Sequence, residues 1–255
     1  MYRYLKHIIL PLICISFFSA CEKRNDTGVS DNDSAQYELY DYYEDQYGNK
    51  GIVAYVYDYE EDGEFMHLKV VLSLDETTAF WGPMGTTVYD VNSKFNEAFP
   101  NGPFLGLVVN QRVHNLGAEN YPAFDWCFKK NGNEQMIHSS SWILPTYMEL
   151  RRIFVNEQRL QTLNSHLLAY NGTPIASPDE PDACYWSCVE DIKDVLIFAD
   201  EQAQQESDYD PARRAIPMTT DNMFYTNKLY WNKNREYKVR AIKYIYFAQS
   251  PDTDD

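Results

Sequence analysis

Two apolar runs on either side of a short acidic turn constrain the fold more than any other feature of the sequence. The runs cover residues 51–59 and 65–74 and are rich in β-branched and aromatic residues, and Asp62-Gly63 ends the segment between them. An Asp-Gly pair between two such runs is typical of a β-hairpin. The sequence therefore predicts an antiparallel strand pair near the start of the folded region.

Two consecutive helices are predicted between residues 146 and 172. Thr146 and Glu149 have the spacing of a capping box, in which each side chain accepts a hydrogen bond from the other residue's backbone N–H. Asn156 is a plausible cap for the second helix, which is expected to stop at Asn171-Gly172. Their apolar faces are predicted to be Leu150, Ile153 and Phe154 in the first helix, and Leu160, Leu163, Leu167 and Leu168 in the second.

The rest of the folded region gives a mixture of predictions. A helix is predicted at 121–130 because Pro122 favours a first turn and Asn131-Gly132 favours a stop. Strands are predicted around Tyr185 and at 224–231 and 237–247, and apolar residues on both faces of the last one suggest a central, buried strand. The polar segment 200–214 indicates an exposed insertion, whereas residues 89–109 support no assignment.

The N-terminal segment has the features of a bacterial lipoprotein signal. Arg3 and Lys6 precede an apolar run at residues 8–18, and Ser19-Ala20 leads directly into Cys21. Eleven helical residues cover about half of a bilayer core of roughly 30 Å, so a retained membrane span is not expected. The prediction is a lipid anchor on Cys21, and the alternative is an ordinary secretory signal that ends in Ala-Cys.

Four regions follow from this interpretation. Residues 1–20 are the predicted signal peptide, and 21–36 form a polar tether with the composition of a disordered segment. Residues 37–248 are predicted to form a single domain, and 249–255 are an acidic tail.

The charge of the chain disfavours nucleic acid as a partner. The sequence has 22 Lys and Arg and 38 Asp and Glu, and loss of the signal removes two basic residues and no acidic ones, for a net charge of −18. The basic residues are scattered, and such a chain repels phosphate backbones.

The cysteines give no obvious disulfide framework. Of the five, Cys14 leaves with the signal and Cys21 would be acylated. In an extended strand the Cα atoms of Cys184 and Cys188 would lie about 13 Å apart, beyond the roughly 7 Å that a disulfide tolerates, so they could pair only across a turn. A bond from Cys127 to either of them is possible, but the favoured prediction is three small, buried apolar residues.

A series of motifs occurs in a recognisable order. These are Gly51-Ile52-Val53-Ala54-Tyr55-Val56 with Val70-Val71-Leu72, Trp81-Gly82, Trp126-Cys127, Asn131-Gly132, Trp142-Ile143-Leu144-Pro145-Thr146 with Glu149-Leu150, Cys184-Tyr185-Trp186-Ser187, and Val239-Arg240-Ala241-Ile242. Over residues 51–247 the chain resembles the family named after the C-terminal domain of a bacterial collagen-like adhesin, Lcl-C. The pattern of that family includes Trp-x-Leu-Pro-x-x-x-Glu-Leu, Tyr-Trp-Ser-Ser and Val-Arg-x-Val.

The resemblance implies an α+β protein with a C-type-lectin-like fold, which is shared with formylglycine-generating enzymes. In that fold two or three helices flank a small twisted mixed β-sheet. Members of the family are mostly secreted or attached to the cell surface, and some are associated with adhesion to glycans. A fold alone does not establish a ligand.

The motif aromatics are predicted to be core residues rather than sugar-binding ones. Residues that flank a helix start and a strand usually lock helix to sheet, and this applies to Trp142, Leu144, Pro145, Tyr185 and Trp186. Sugar-stacking residues would be sought first among loop aromatics such as Tyr209, Phe224 and Tyr225.

The sequence shows no catalytic or metal-binding constellation. His67, His114, His138 and His166 lack metal-ligand spacing, and no Gly-x-Ser-x-Gly elbow surrounds the serines after His138. The spacing of Cys184 and Cys188 differs from the cysteine pair of formylglycine-generating enzymes, and no two of the many acidic residues stand out as a glycosidase pair. We therefore expect no catalytic residue, metal or cofactor.

The resulting hypothesis is a lipid-anchored envelope protein, expected in the outer membrane, that binds a glycan or a surface protein without catalysis. Its partners would be the membrane, through Cys21, and that ligand. One alternative is a structural or accessory subunit of a surface appendage. Another, less favoured, is an envelope enzyme that acts on polysaccharide.

Overall fold

The computed structural model describes residues 37–61, 64–88, 104–177, 179–180, 183–190, 215–220 and 232–248. Several predictions lie outside these residues: the signal 1–20 with its lipidation site Cys21, the tether 21–36, the insertion 200–214, the strand 224–231 and the tail 249–255. The loop aromatics Tyr209, Phe224 and Tyr225 also lie outside them.

The described chain is a mixed α+β structure, as predicted. Its strands are β1 (Tyr42–Glu44), β2 (Lys50–Glu61), β3 (Glu64–Ser73), β4 (Thr77–Phe80), β5 (Cys184–Glu190), β6 (Ala215–Thr219), β7 (Glu236–Val239) and β8 (Ile242–Ala248). Its helices are α1 (Phe104–Gly117), α2 (Pro122–Phe128), α3 (Tyr147–Ile153) and α4 (Glu157–Ala169), with 3₁₀ turns at Ala118–Asn120 and Lys129–Asn131. The strands form two four-stranded sheets, where one small sheet was expected.

The first sheet has the order β1-β2-β3-β8 and is antiparallel throughout. The predicted hairpin is confirmed as β2 and β3, which pair from Gly51 opposite Ser73 to Glu61 opposite Glu64. A register shift between Val53 and Tyr55 marks a bulge in β2.

The second sheet has the order β4-β7-β5-β6 and is mixed, because β5 runs parallel to β7. The single strand predicted at 237–247 is in fact two strands that belong to different sheets. The chain leaves β7 at Arg240, whose guanidinium donates to the carbonyls of Ser73 and Thr173, and enters β8 at Ile242. The prediction of one central strand is therefore wrong. Strand β7 is central in the second sheet, whereas β8 lies at the edge of the first sheet, where it pairs with β3. On its other side, within the described chain, β8 forms only an isolated bridge to Ile143.

Both predicted caps are present. The Thr146 hydroxyl accepts from the Glu149 N–H at 3.2 Å, and the Glu149 carboxylate accepts from the Thr146 N–H at 2.6 Å. Asn156 Oδ1 accepts from the Arg159 N–H at 2.8 Å and caps α4. These contacts are local in sequence, which explains why spacing alone predicts them.

One position of the predicted apolar stripe on α4 is wrong. Leu160, Leu163 and Leu167 are buried, but Leu168 is 59% exposed. Leu168 follows Leu167 directly, so it lies about 100° further around the helix and off the buried face.

Helix α1 was not predicted, because its residues are not locally typical of a helix. It contains Gly106 and three valines, which are modest or poor helix formers. Tertiary contacts favour Gly106, since a Cβ atom there would lie 3.2 Å from Thr146 Cγ2 and 3.4 Å from Glu149 Oε2, and these side chains would have to shift slightly. The buried Asn110 side chain also ties α1 to Leu144, donating to its carbonyl and accepting from its N–H at 2.9 Å each.

The motif aromatics are core residues, which confirms their predicted role. Trp142, Leu144 and Trp186 are fully buried, Tyr185 is 1% exposed, and Pro145 is buried. The three cysteines of the domain, Cys127, Cys184 and Cys188, are also buried in the core, as predicted.

Candidate binding clefts

A fully buried ion pair joins the second sheet to the loop after β4. The Lys233 ammonium contacts a Glu190 carboxylate oxygen, and neither side chain is exposed. The N–H of Val88 donates to both Glu190 oxygens at 2.9 and 3.0 Å, and Lys233 also donates to the Thr86 carbonyl at 2.8 Å. The ammonium lies 4.4 Å from the centre of the Trp81 ring. This cluster is inaccessible to a ligand, so its role is structural.

A second network, which is partly buried, lies between the two sheets around Glu76. Its carboxylate accepts from Tyr185 at 2.8 Å, from Lys238 at 2.8 Å and from Arg240 at 2.6 Å. Burial alone raises the pKa of Glu76, but the Arg240 charge and the three hydrogen bonds outweigh that effect and leave the pKa below its usual value. The charged Glu76 carboxylate thus links the two sheets through these hydrogen bonds.

A third buried carboxyl, Glu149, lies where α1, α3 and β8 meet. It closes the capping box with Thr146 and accepts from the Tyr244 hydroxyl. Burial raises the pKa of Glu149 to about 8, although the hydrogen bonds from Thr146 oppose the shift. At neutral pH this carboxyl is therefore mostly protonated, and it faces no cavity described below.

An open cleft lies beyond the C-terminal end of α4, next to the base of the β2–β3 hairpin. We call it the Asp75 cleft. Its volume is about 370 Å³. It is lined by Gly48, Asn49, Lys50, Leu74, Asp75, Lys130, Tyr170, Asn171 and Thr173. These residues come from four separate parts of the chain, so only folding brings them together.

An ion pair is the main electrostatic feature of the Asp75 cleft. Lys130 Nζ lies 2.7 Å from both carboxylate oxygens of Asp75 and 4.3 Å above the centre of the Trp126 ring. The Lys130 side chain is 10% exposed, whereas that of Asp75 is 61% exposed. The carboxylate is therefore fixed in direction and still open to a ligand that donates hydrogen bonds.

Amide and aromatic groups complete the Asp75 cleft. Asn49 Nδ2 donates to the Lys130 carbonyl at 2.5 Å and to Asp45, which orients the Asn49 amide beside the ion pair. Tyr170 is half-buried and packs against Tyr42 with ring centres 5.2 Å apart. The sequence did not single out Tyr170, since its position before Asn171-Gly172 indicates only the end of a helix.

A second cleft lies along the first half of α4, and we call it the α4 cleft. Its volume is about 400 Å³. It is lined by Phe154, Asn156, Glu157, Leu160, Gln161, Asn164, Ser177, Asp179 and Thr220. Two of these residues are acidic and none is basic.

His114, His138 and His166 take surface or packing positions, whereas the His67 side chain lies outside the described ones. His114 packs edge-on against Phe128, His138 contacts Glu134 at 3.0 Å, and His166 stacks on Tyr40 with ring centres 4.8 Å apart. Within the ranges that the structure describes, no three His, Cys, Asp or Glu side chains lie close enough together to hold a metal ion. The same ranges contain no helix that combines the length and apolarity needed to cross a bilayer.

Comparisons with known proteins give no relative. No protein-family profile, curated protein or solved structure matches the chain. The C-type-lectin-like topology and the Lcl-C-like family therefore stay predictions.

Proposed function

We propose that this chain is a lipid-anchored envelope protein whose C-type-lectin-like, Lcl-C-like domain binds a saccharide in the Asp75 cleft without catalysis. The observation that carries the proposal is the position of the Tyr170 ring beside the Asp75–Lys130 ion pair in one open cleft. An aromatic face with a few fixed polar groups is the usual make-up of a small-ligand site. A pyranose ring presents an apolar C–H face and several hydroxyls, and it matches both parts.

The hydrogen-bonding capacity of the cleft suits hydroxyl groups, which both donate and accept. Asp75 accepts, Lys50 donates, and the Thr173 hydroxyl can do either. Hydrogen bonds that involve a charged partner are about twice as strong as neutral ones, so Asp75 would be the main anchor for a sugar hydroxyl. Among the described lining residues, Lys50 and Lys130 carry two positive charges against one negative charge on Asp75, and this balance is compatible with a neutral sugar or a uronic acid.

The lipid anchor and the tether would set where the binding domain lies relative to the membrane. Acyl chains on Cys21 would hold the protein at the outer membrane, and residues 21–36 would span about 50 Å when fully extended. That reach places a small domain clear of the lipid headgroups, where a polysaccharide or a glycoprotein is accessible.

A glycan array followed by thermal-shift measurements tests this function on the full chain purified in detergent. A bound saccharide should raise the melting temperature with concentration as expected from RT ln(1 + [L]/Kd). Tyr170→Ala should abolish that shift, whereas Tyr47→Ala removes an exposed ring outside both clefts and should leave it intact.

Three results would count against the proposal. Unchanged binding in Tyr170→Ala would remove the Asp75 cleft as the site. A silent array combined with cross-linking to an appendage subunit would favour the structural alternative. Turnover of the bound polysaccharide would show an enzyme rather than a binding module.

A further inference from the structure

We propose that the α4 cleft is a second binding site, which takes the side chain of a lysine or arginine from a partner polypeptide. Of the lining residues that the structure describes, none is shared with the Asp75 cleft. Glu157 and Tyr170 are separated along the helix by 13 residues, or roughly 20 Å at 1.5 Å per residue. The two sites can therefore be tested independently.

The charge of the α4 cleft favours a cation. Among the residues that the structure describes, its lining contains the exposed carboxylates of Glu157 and Asp179 and no basic side chain. The N-terminus of α4 contributes a partial positive charge of about +0.5, which is smaller than the two negative charges beside it. A cationic group therefore gains electrostatically from entering the cleft, and an anion does not.

The hydrogen bonds already made within the cleft leave acceptors available to a ligand. Asn164 is held by Ile175, since one of its amide N–H groups donates to the Ile175 carbonyl at 2.9 Å and its Oδ1 accepts from the Ile175 N–H at 2.7 Å. Gln161 donates to Glu157 Oε1 at 3.0 Å, so its own carbonyl oxygen remains available. Together with the Asp179 carboxylate this oxygen favours a ligand group that donates several hydrogen bonds. Ammonium and guanidinium groups fit, because they carry three and five N–H donors and no acceptor.

An independent feature of the same cleft points to a ligand. Thr220 lines the cleft and is 2% exposed, yet its hydroxyl has no hydrogen-bond partner within the described part of the chain. Buried side-chain hydroxyls nearly always have a partner. An ammonium or guanidinium N–H in the cleft would supply a donor to Thr220 Oγ1.

Two further groups suit a polypeptide rather than a free polyamine. Phe154 and Leu160 give the cleft an apolar part, against which the methylene stem of a lysine or arginine can pack. Asn156 uses its oxygen to cap α4, so its Nδ2 can donate to a peptide carbonyl next to the bound side chain. A polyamine has no carbonyl to accept that bond.

An NMR titration of the full chain in detergent, following the backbone amides of residues 156–164, tests the proposal. The probe is an acetylated, amidated Gly-Lys-Gly peptide, compared with the same peptide containing norleucine and with spermidine. The lysine peptide should bind at least tenfold more tightly than either, and its affinity should fall as salt rises. Equal binding by norleucine would overturn the cationic site, and equal binding by spermidine would overturn the polypeptide partner.

Variants identify the site. Glu157→Gln combined with Asp179→Asn should weaken binding of the lysine peptide tenfold or more, and Thr220→Val should weaken it severalfold. Glu236→Gln removes an exposed charge outside the cleft and is the matched control. An equal loss in the control, or no loss in the double variant, would overturn the proposal. Tyr170→Ala should leave this binding unchanged even if the saccharide proposal fails.

Discussion

Lys233 and Glu190 form an ion pair with no exposed part, although 43 residues separate them in the sequence. The backbone N–H of Val88 and the carbonyl of Thr86 complete the hydrogen bonding of the pair. One contact between two side chains thus fixes the loop that follows β4 against the end of β5 and the turn before β7.

Replacing one partner of this pair should destabilise the protein strongly. Lys233→Met would leave the Glu190 carboxylate buried without its counter-ion, and such changes cost about 3–5 kcal/mol. Glu190→Gln combined with Lys233→Met should cost less than Lys233→Met alone, because no buried charge remains. Urea unfolding of the three proteins checks this, and a double variant that is less stable than Lys233→Met would contradict it.

Glu149 should make stability fall as the pH rises. Its pKa is about 8 in the folded protein and about 4.3 in an unfolded chain, so folding favours the protonated form. The stabilisation is complete below pH 4.3, is lost progressively up to about pH 8, and amounts to a few kcal/mol. The measurement is the free energy of unfolding between pH 4 and 9 for the natural chain and for Glu149→Gln.

The difference between those two proteins isolates Glu149 from Glu76. The lowered pKa of Glu76 acts in the opposite sense, because its stabilisation is present above its unfolded pKa and is lost as the pH falls through the folded one. Glu236→Gln, at an exposed position, should keep the full pH profile. A Glu149→Gln profile that runs parallel to that of the natural chain would show that Glu149 does not titrate in this range.

The three cysteines of the domain should be unreactive until the protein unfolds. Burial raises the pKa of the Cys127 and Cys188 thiols, and the thiolate is the reactive form. Cys184 is fully buried as well. Iodoacetamide at pH 8 should label these cysteines at least a hundredfold faster in urea than in buffer, as measured by mass spectrometry. Rapid labelling of Cys188 in buffer would mean that the core around β5 opens readily.

Cys21→Ser should release the protein from membranes. Without the thiol no acyl chain can be attached, and the apolar run before it is too short to span a bilayer. Palmitate labelling and sedimentation with membranes should both be lost. Cys188→Ser, by comparison, should keep both, and a Cys21→Ser protein that still labels would disprove the lipoprotein signal.

The parts of the fold that depend on neighbours in sequence could be predicted. The β2–β3 hairpin has its turn signal between its strands, and the cap of α3 needs only Thr146 and Glu149, three residues apart. Helix α1 could not be predicted, since Gly106 is favourable only because Thr146 and Glu149 pack against it. The change of sheet at Arg240 escaped prediction for the same reason, because its partners Ser73 and Thr173 are distant in the chain.

The candidate sites were harder to predict than the fold. Asp75 and Lys130 are 55 residues apart and neither lies in a motif, so nothing in the sequence pairs them. The aromatic motifs contain Trp142 and Trp186, but both side chains are buried in the core. Of the aromatics that the structure describes, it is Tyr170, beyond the last turn of α4, that lines the Asp75 cleft.

The short link between β7 and β8 has a consequence for cooperativity. Only Arg240 and Ala241 separate the two strands, and the Arg240 guanidinium donates hydrogen bonds to the carbonyls of Ser73 and Thr173. Unfolding of β7 or β8 in one sheet would therefore disturb the adjoining strand in the other sheet. The two sheets should for this reason melt in a single transition. A ligand in either cleft would then raise the melting temperature of the whole domain. Binding at one cleft would therefore also protect the residues of the other cleft from unfolding.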